Sequence, residues 1–183
     1  MADSHCPDAR VRCFVACWPD DPTRDRLDRV AGAALGRYPG ARRVSASNLH
    51  LTLAFIGELP LSGAREAAAA LHAIRSEPFN WRIDRVGRFD RAHVLWAGGA
   101  DEPRLADLAE RVRSCLQTLQ IRFDGKRFVA HVTLLRDLPS RRGGESTEAV
   151  EPIDPFAWPV QAARMLVSER DVQGATRYRA LEP

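Results

Sequence analysis

Two copies of the pattern His-x-Thr stand in apolar stretches of this chain. His50 and Thr52 lie in NLHLTLAFIGEL, and His131 and Thr133 lie in RFVAHVTLLRDL. Successive side chains of a β-strand point to opposite faces of a sheet, so each histidine is predicted to share a face with its threonine. One such pair arises often by chance. Two pairs in equivalent surroundings are much less easily explained in that way.

The neighbouring residues predict which face of each strand is buried. In the first stretch, the alternation places Ala54 on the face of Thr52 and puts Leu51, Leu53 and Phe55 on the opposite, apolar face. The second stretch repeats this arrangement. We therefore expect the apolar residues between the motif residues to anchor each strand in the core.

Two imidazoles and two hydroxyls suit displacement at phosphorus without a metal. An attacking water must lose a proton on one flank of the phosphate while the leaving ribose oxygen gains one on the other. Histidine, with an unperturbed pKa near about 6.5, can serve in both states near neutral pH. Each threonine can donate a hydrogen bond to a non-bridging phosphate oxygen, where charge accumulates.

Two other interpretations of the motifs stay open at the level of the residues. Both pairs can be ordinary half-buried strand residues without a catalytic role. A metal site is less favoured, because H-x-T supplies one good ligand per strand and no carboxylate or cysteine stands at matching spacing in both copies. We expect no metal and no cofactor.

The elements around the motifs are predicted from hydrophobic periodicity and from helix and turn signals. Helices are predicted over 22–38 and 62–75 and from Pro103 onward; strands over 12–18, as a pair across 81–98, and around 164–168 and 176–181. Asp124 and Gly125 predict a hairpin turn before the second motif, and 139–152 is predicted to be a mobile loop. Since each motif follows a strand, an amphipathic helix and a turn, the chain is interpreted as two similar halves sharing one surface.

Length and composition are those of an ordinary globular protein. A chain of 183 residues with 45% hydrophobic and 28% charged residues fits one domain or two small lobes. No stretch reaches the roughly eighteen apolar residues of a membrane span, and the first residues lack a signal-peptide pattern. We expect a cytoplasmic protein without membrane contact. Four cysteines without a CxxC pair are expected to be reduced thiols.

The charge of the chain does not by itself indicate a nucleic-acid partner. The formal net charge is +3, which is too small for that conclusion. Of the 27 basic residues, Lys126 is the only lysine. Arginine suits bidentate phosphate contact, although a coding bias toward arginine explains the count at least as well.

At these residues the chain resembles the 2H phosphoesterase superfamily, which is named for paired H-x-T/S motifs. Within it, the chain is similar to the bacterial and archaeal RNA 2′,3′-cyclic phosphodiesterases, historically called 2′-5′ RNA ligases. The resemblance runs from about Arg12 to Leu181 and covers RCFVACWP, NLHLTLAFIGEL, VLWAG, AHVTLLRD and TRYRAL. Two departures are Ala130, where the family usually has proline, and the additional residues before Arg12.

The resemblance implies a bilobal α+β fold, with antiparallel sheets lining a central cleft and helices outside. Residues 12–183 would form a single catalytic domain with one motif in each pseudo-symmetric lobe, after a disordered polar leader over 1–11. The implied reaction is metal-independent hydrolysis of an RNA 2′,3′-cyclic phosphate end to a 2′-phosphate end. The implied partner is RNA, and a monomer is expected.

The resemblance also implies a role for each motif residue. His50 is assigned as the acid toward the ribose 3′ oxygen and His131 as the base acting on water. Thr52 and Thr133 are assigned to phosphate binding.

Two further residues match positions near the second motif of the family. Arg136 is a candidate phosphate or RNA contact, but an ideal strand places it opposite His131, which favours a structural ion pair equally. Phe128 is a candidate for stacking on a base, with core packing as the alternative.

Three alternative functions stay open. The same site can join RNA ends by letting a 5′-hydroxyl replace water, which forms a 2′-5′ linkage. It can act on another cyclic phosphate, such as ADP-ribose cyclic phosphate. A non-catalytic RNA-binding module is disfavoured, because binding alone does not require two histidines of opposed protonation.

Overall fold

A computed structural model of the chain describes residues 8–140 and 150–182. The described residues form three α-helices and nine β-strands. The helices are α1 Asp21–Leu35, α2 Leu61–His72 and α3 Pro103–Thr118. The strands are β1 Arg10–Cys17, β2 Arg42–Arg43, β3 Leu51–Pro60, β4 Phe79–Phe89, β5 Val94–Gly98, β6 Val132–Arg136, β7 Glu151–Val160, β8 Ala163–Arg170 and β9 Thr176–Ala180.

The strands form one antiparallel sheet in the order β7-β4-β5-β6-β3-β1-β8-β9, with β2 beside β6. In the middle of this order, β3 and β6 pair through a single residue pair, Leu51 with Val132. The sheet therefore consists of two antiparallel parts, β7-β4-β5-β6 and β3-β1-β8-β9, that meet at a narrow seam. The predicted α+β class is confirmed, with the two sheets joined edge to edge.

The two parts of the sheet do not correspond to the two halves of the chain. The first helix, α1, packs against β6 and β7, whereas α2 packs against β1, β3 and β8. The third helix, α3, packs against β3 and α2. The two parts are therefore not consecutive stretches of the chain, because strand pairing, and not chain order, decides which strands lie together.

The helices start within one residue of their predicted positions. Asp20 caps α1 by accepting a hydrogen bond of 3.1 Å from the backbone N–H of Thr23. This bond satisfies one of the free N–H groups in the first turn of the helix. The helix ends at Leu35 rather than at residue 38.

The polar leader predicted over 1–11 extends too far. Arg10 already begins β1. The Asp8 carboxylate accepts hydrogen bonds from the backbone N–H and the hydroxyl of Ser62, in the first turn of α2. The end of the leader is thus held by the fold, while residues 1–7 lie outside the described residues.

Strand β7 is the longest strand that the sequence analysis missed. Pro152 and Pro155 disfavour a central strand, because proline has no backbone N–H to donate. β7 is an edge strand that pairs only with β4, which tolerates these prolines. The predicted loop over 139–152 therefore ends where β7 begins, and its residues 141–149 lie outside the described residues.

The hairpin turn predicted at 124–125 is also wrong. Residues 119–131, all of which are described, contain no strand. The backbone N–H of Asp124 instead donates a hydrogen bond of 2.8 Å to the carbonyl oxygen of Phe55. This segment therefore docks on β3 and forms a wall beside the first motif.

The core lies between the helices and one face of the sheet. Leu51 and Val132 are fully buried there, so the residue between the histidine and threonine of each motif anchors its strand. Cys13 and Cys17 are also buried, and burial raises the pKa of their thiols to about 11 and about 12. None of the helices in the described residues combines the length and apolarity that a membrane crossing requires.

Candidate active site

The two His-x-Thr motifs meet at the seam of the sheet. Each histidine lies one residue before its strand, and the middle residues of the two motifs, Leu51 and Val132, are the cross-strand pair. An antiparallel register continues this pairing outward, so His50 lies beside Thr133 and Thr52 beside His131. All four side chains are half-buried. The fold thus brings the four predicted motif residues together on one surface.

Both imidazoles are held by the same backbone contact. His50 Nδ1 lies 2.7 Å from the carbonyl oxygen of Asn48, and His131 Nδ1 lies 2.7 Å from that of Val129. A carbonyl oxygen can only accept a hydrogen bond, so each Nδ1 carries the hydrogen. In the neutral ring, Nε2 is consequently unprotonated and ready to accept a proton. The carbonyl belongs in each case to the residue two positions before the histidine.

Aromatic side chains surround each imidazole. His50 packs between Phe14 and Tyr178, with ring centroids 4.8 and 5.2 Å away, and Tyr178 meets it edge-on. His131 has Phe89 edge-on at 5.0 Å. The packing restricts ring rotation and excludes water, so it both orients the histidines and disfavours their charged forms.

The pKa values of both histidines are lowered in the free protein. Burial is the largest cause for His50 and lowers its pKa to about 4, with further lowering by the charges of Arg136 and His131. Burial and then the charge of Arg136 lower the pKa of His131. The backbone carbonyl contacts oppose both shifts. Near neutral pH both rings are therefore neutral before substrate binds.

A β-bulge follows the threonine in both motifs. In β3, Thr52 pairs with Ala16 and Ala54 pairs with Val15, which leaves Leu53 without a partner. In β6, the corresponding unpaired residue is Leu134. One extra residue reverses the alternation of the strand beyond it. The third residue after each threonine therefore returns to the face that carries the histidine and threonine.

The bulges correct two predictions about side-chain direction. Phe55, predicted on the apolar face, lies on the motif face with 40% of its surface exposed. Arg136, placed opposite His131 by an ideal strand, is exposed and lines the cleft with Thr133. Among the described residues Arg136 forms no ion pair, so the structural alternative lacks a partner there. Phe55 occupies the equivalent position in the first motif.

Sequence reasoning missed Phe55, although a signal was present. Aligned on their motifs, the two copies read H-x-T-x-x-F and H-x-T-x-x-R, so Phe55 and Arg136 correspond. Once Arg136 is considered as a site residue, the alignment points to Phe55 as well. The Phe55 ring is not part of the core cluster, and the guanidinium of Arg12 lies 5.1 Å from its centroid.

The cleft consists of two cavities that meet at Thr133 and Arg136. One, of 370 Å³, contains His50 and is named here the arginine-lined cavity; its charged residues are Arg42, Arg43, Arg136 and Arg170. The other, of 430 Å³, contains His131 and Thr52 and is named the aromatic cavity; its rings are Phe55, Phe89 and Phe128. The two histidines therefore line different cavities of one cleft.

The structure shows where Phe128 lies and whether the described side chains could share a metal ion. Phe128 lines the aromatic cavity but is half-buried and packs on the core, so both of its predicted roles are compatible with its position. Within residues 8–140 and 150–182, no three histidine, cysteine or acidic side chains lie close enough to share a metal ion.

Known proteins share both the sequence and the fold. The profile of the 2′-5′ RNA ligase superfamily matches residues 19–172. The chain is 36% identical over 146 residues to the RNA 2′,3′-cyclic phosphodiesterase of Escherichia coli (strain K12), covering 77% of each chain. It is 33% identical over 129 residues to the RNA 2′,3′-cyclic phosphodiesterase of Archaeoglobus fulgidus, covering 69% of this chain and 72% of the relative.

A solved structure extends the similarity to nearly the whole chain. The crystal structure of E. coli LigT complexed with 3′-AMP matches with a TM-score of 0.78 and 28% identity, covering 95% of this chain and 97% of that chain. Together with the profile match, this assigns a family. The chain belongs to the 2′-5′ RNA ligase superfamily.

Proposed function

We propose that this protein is a metal-independent phosphodiesterase that hydrolyses RNA 2′,3′-cyclic phosphate ends to 2′-phosphate ends. The observation that carries the proposal is the pairing of Leu51 with Val132, which sets two histidines and two threonines around one point of the cleft. The E. coli and A. fulgidus relatives are RNA 2′,3′-cyclic phosphodiesterases, which supports the same substrate for this protein.

The reaction requires one proton transfer on each flank of the phosphorus. His131 accepts a proton from water through Nε2 as the water oxygen forms its bond to phosphorus. His50 gives a proton to the ribose 3′ oxygen as the bond between phosphorus and that oxygen breaks. The product keeps its phosphate on the 2′ oxygen. Thr52 and Thr133 donate hydrogen bonds to the non-bridging oxygens, where negative charge grows.

The compartments of the cleft support this assignment of acid and base. The cyclic phosphate lies on the C2′–C3′ edge of the ribose, with the base leaving the ring beside C2′ and the 5′ carbon beside C3′. A base placed in the aromatic cavity directs the 3′ oxygen toward the arginine-lined cavity. His50 lines that cavity, whereas His131 lines the aromatic cavity, and this separation supports His50 as the acid and His131 as the base.

His50 takes up its proton from solvent when the substrate binds. In the free protein burial lowers the pKa of His50 to about 4, so its ring is neutral near pH 7. A bound phosphate diester carries a negative charge, and a negative charge within about 4–6 Å raises the pKa of an imidazole. Substrate binding therefore stabilises the protonated state that the acid needs.

Three further residues would bind the rest of the RNA. Arg136 is free in the described part of the chain and can contact a phosphate, since a guanidinium matches phosphate geometry. Phe128, and more directly the exposed ring of Phe55, can stack on the terminal base. A cytoplasmic location and a monomeric state stay predictions.

The test of the proposal is an assay on an oligonucleotide with a 2′,3′-cyclic phosphate end. Purified protein is incubated with it in excess chelator, and the end group of the product is identified. We expect complete conversion to a 2′-phosphate, unchanged when the chelator is omitted. No turnover, or turnover only after a metal is added, would contradict the proposal.

The same assay separates the alternative reactions. Adding an RNA with a 5′-hydroxyl end measures joined against hydrolysed product, which distinguishes ligation from hydrolysis. Adding ADP-ribose cyclic phosphate as a competing substrate measures the other alternative. We expect hydrolysis of the RNA end to have the largest kcat/KM of the three.

A further inference from the structure

The arginine-lined cavity has a charge that the proposed chemistry does not require. It is lined by four arginines and contains no acidic side chain in its lining. Arg42 forms an ion pair with Asp137, and Arg43 forms one with Asp28. In the described part of the chain, Arg136 and Arg170 have no carboxylate partner.

Arg136 and Arg170 come from different elements. Arg136 ends β6 and adjoins the catalytic motifs, whereas Arg170 ends β8, at the far side of the cavity from the seam. Arg136 lines both cavities and so lies where the cyclic phosphate would bind. Arg170 therefore offers a second cationic point in the same cavity.

The turn between β8 and β9, which forms the wall of the cavity beside Arg170, is held in place by hydrogen bonds. Arg170 Nη1 donates to the carbonyl oxygen of Gly174 at 2.7 Å, across the turn between β8 and β9. Gly174 has a φ of +79°, which a side chain would disfavour, so this turn depends on glycine. The contact fixes one edge of the guanidinium and leaves its remaining N–H groups for a ligand.

Asn48 connects the same wall to the first motif. Its side-chain nitrogen donates to the carbonyl oxygen of Thr176 at 2.7 Å, and its side-chain oxygen accepts from the backbone N–H of Tyr178 at 3.3 Å. The carbonyl of Asn48 also receives the hydrogen bond from His50 Nδ1. The position of β9 and its turn is thereby tied to the position of the catalytic histidine.

We propose that the arginine-lined cavity is a second anion subsite, in which Arg170 binds the phosphodiester that joins the terminal nucleotide to the nucleotide before it. This inference rests on the proposed function for the identity of the substrate. With the base in the aromatic cavity, the 5′ carbon of the terminal ribose points toward the arginine-lined cavity. The next phosphate of the RNA chain is attached at that carbon, so it enters the part of the cleft that holds Arg170.

The subsite makes the protein selective for chain ends over free cyclic nucleotides. A nucleoside 2′,3′-cyclic phosphate has no upstream phosphate and leaves Arg170 unused. A dinucleotide or a longer RNA fills both subsites. Since Arg170 is exposed, its contribution should weaken as salt increases.

The experiment measures binding of dinucleotides that end in a 2′-phosphate, by titration calorimetry at low salt. One dinucleotide has a normal phosphodiester, and the other has a neutral methylphosphonate in its place. We expect the wild-type protein to bind the phosphodiester about tenfold more tightly, as is typical of one charge-assisted contact. We expect Arg170→Ala to bind both with the same Kd.

Arg164→Ala is the matched control. Arg164 is an exposed arginine on the same strand, β8, but it lines a different cavity. It should retain the tenfold difference, and thermal melting checks that both variants are folded. Equal affinity of the wild-type protein for the two dinucleotides would overturn the proposal, as would an undiminished difference in Arg170→Ala.

The result is separable from the fate of the proposed function. Calorimetry requires no turnover, so it tests the subsite even in a protein that does not hydrolyse cyclic phosphates. Conversely, hydrolysis of a cyclic-phosphate oligonucleotide together with equal binding of the two dinucleotides would retain the reaction and reject the subsite.

Discussion

The two motifs are alike up to the threonine and differ three residues beyond it. Each has a histidine bonded through Nδ1 to the carbonyl two residues earlier, a buried middle residue, a threonine and a bulge. After the bulge, the first motif presents Phe55 and the second presents Arg136. In the proposed mechanism the shared part binds a phosphate, which is nearly symmetric, and the differing residues give the cleft an aromatic end and a cationic end. A nucleotide has matching ends, because its base is aromatic and its phosphate is negatively charged.

The two histidines also differ in their aromatic surroundings and in their pKa values. His50 is enclosed by two aromatic rings and His131 by one, and His50 has the more strongly lowered pKa among the two. The difference teaches that equal motifs need not have equal roles. Variants at corresponding positions of the two motifs show how far their equivalence extends.

The largest effect is expected from removing either histidine. His50→Ala and His131→Ala should each lower kcat by roughly 10²- to 10⁴-fold, because each removes one of the two proton transfers. A substrate with sulfur in place of the ribose 3′ oxygen breaks the symmetry, since a thiolate leaves without a proton. It should restore turnover in His50→Ala and not in His131→Ala.

Single-turnover rates for both substrates check this prediction. Restoration in His131→Ala alone would reverse the assignment of acid and base. Restoration in neither variant would mean that His50 does not act by giving a proton to the leaving oxygen.

Removing the threonine hydroxyls should have the next largest effect. Thr52→Val and Thr133→Val keep the shape of the side chain and remove one donor to the phosphate, with an expected loss of about 10- to 100-fold in kcat/KM. The two losses should be similar if the phosphate lies symmetrically between the motifs. Steady-state kinetics with Thr23→Val as a control for a buried threonine elsewhere would check this; a loss confined to one motif would contradict it.

Substitutions of Phe55 and of Arg136 should have different effects on substrate binding. Phe55→Ala should raise KM by about tenfold for a substrate with a base and little for an abasic one, because stacking on the ring is lost. Phe55→Leu, which keeps the apolar bulk, is its control. Arg136→Ala should weaken both substrates equally and reduce the salt dependence of binding by about one phosphate contact.

Affinities measured at several salt concentrations separate these outcomes. If both variants lost affinity in the same way for the two substrates, the aromatic and cationic ends of the cleft would have no separate functions.

The smallest expected effect is a shift in the pH profile of kcat/KM. Because burial and Arg136 lower the pKa of both histidines, kcat/KM should follow a bell that falls as the pH rises from about 6 to 8. Arg136→Gln removes a positive charge that disfavours the protonated rings. Both pKa values should then rise, and the whole profile should move to higher pH.

Arg42→Gln is the control for the pH profile, since the charge of Arg42 is already paired with Asp137. Its profile should stay in place. A shift to lower pH in Arg136→Gln would contradict the lowering of both pKa values by Arg136. The limbs of the bell belong to the pair of histidines, not to either one alone.

The local part of this structure could be predicted from the sequence. Helical periodicity identified α1, α2 and α3, and alternation placed Leu51 and Val132 in the core with each histidine beside its threonine. These features depend on residues a few positions apart, which the sequence itself presents. The four motif residues were found for the same reason.

The features that were predicted wrongly depend on residues far apart in the chain. An edge position allowed the prolines of β7, and cross-strand register produced the bulges that turned Phe55 and Arg136 toward the cleft. A bulge is defined by two residues facing one on the neighbouring strand, so a single strand carries no direct sign of it.

The sequence by itself determined the side chains of the candidate site: two imidazoles, two hydroxyls and the apolar residues that anchor them. Only the tertiary structure decided that Leu51 pairs with Val132, that the motifs meet at a seam, and that Arg170 shares a cavity with His50. The physical reason is that side-chain type and alternation are local properties of a strand. Pairing, register and the shape of a cleft arise only when distant strands come together.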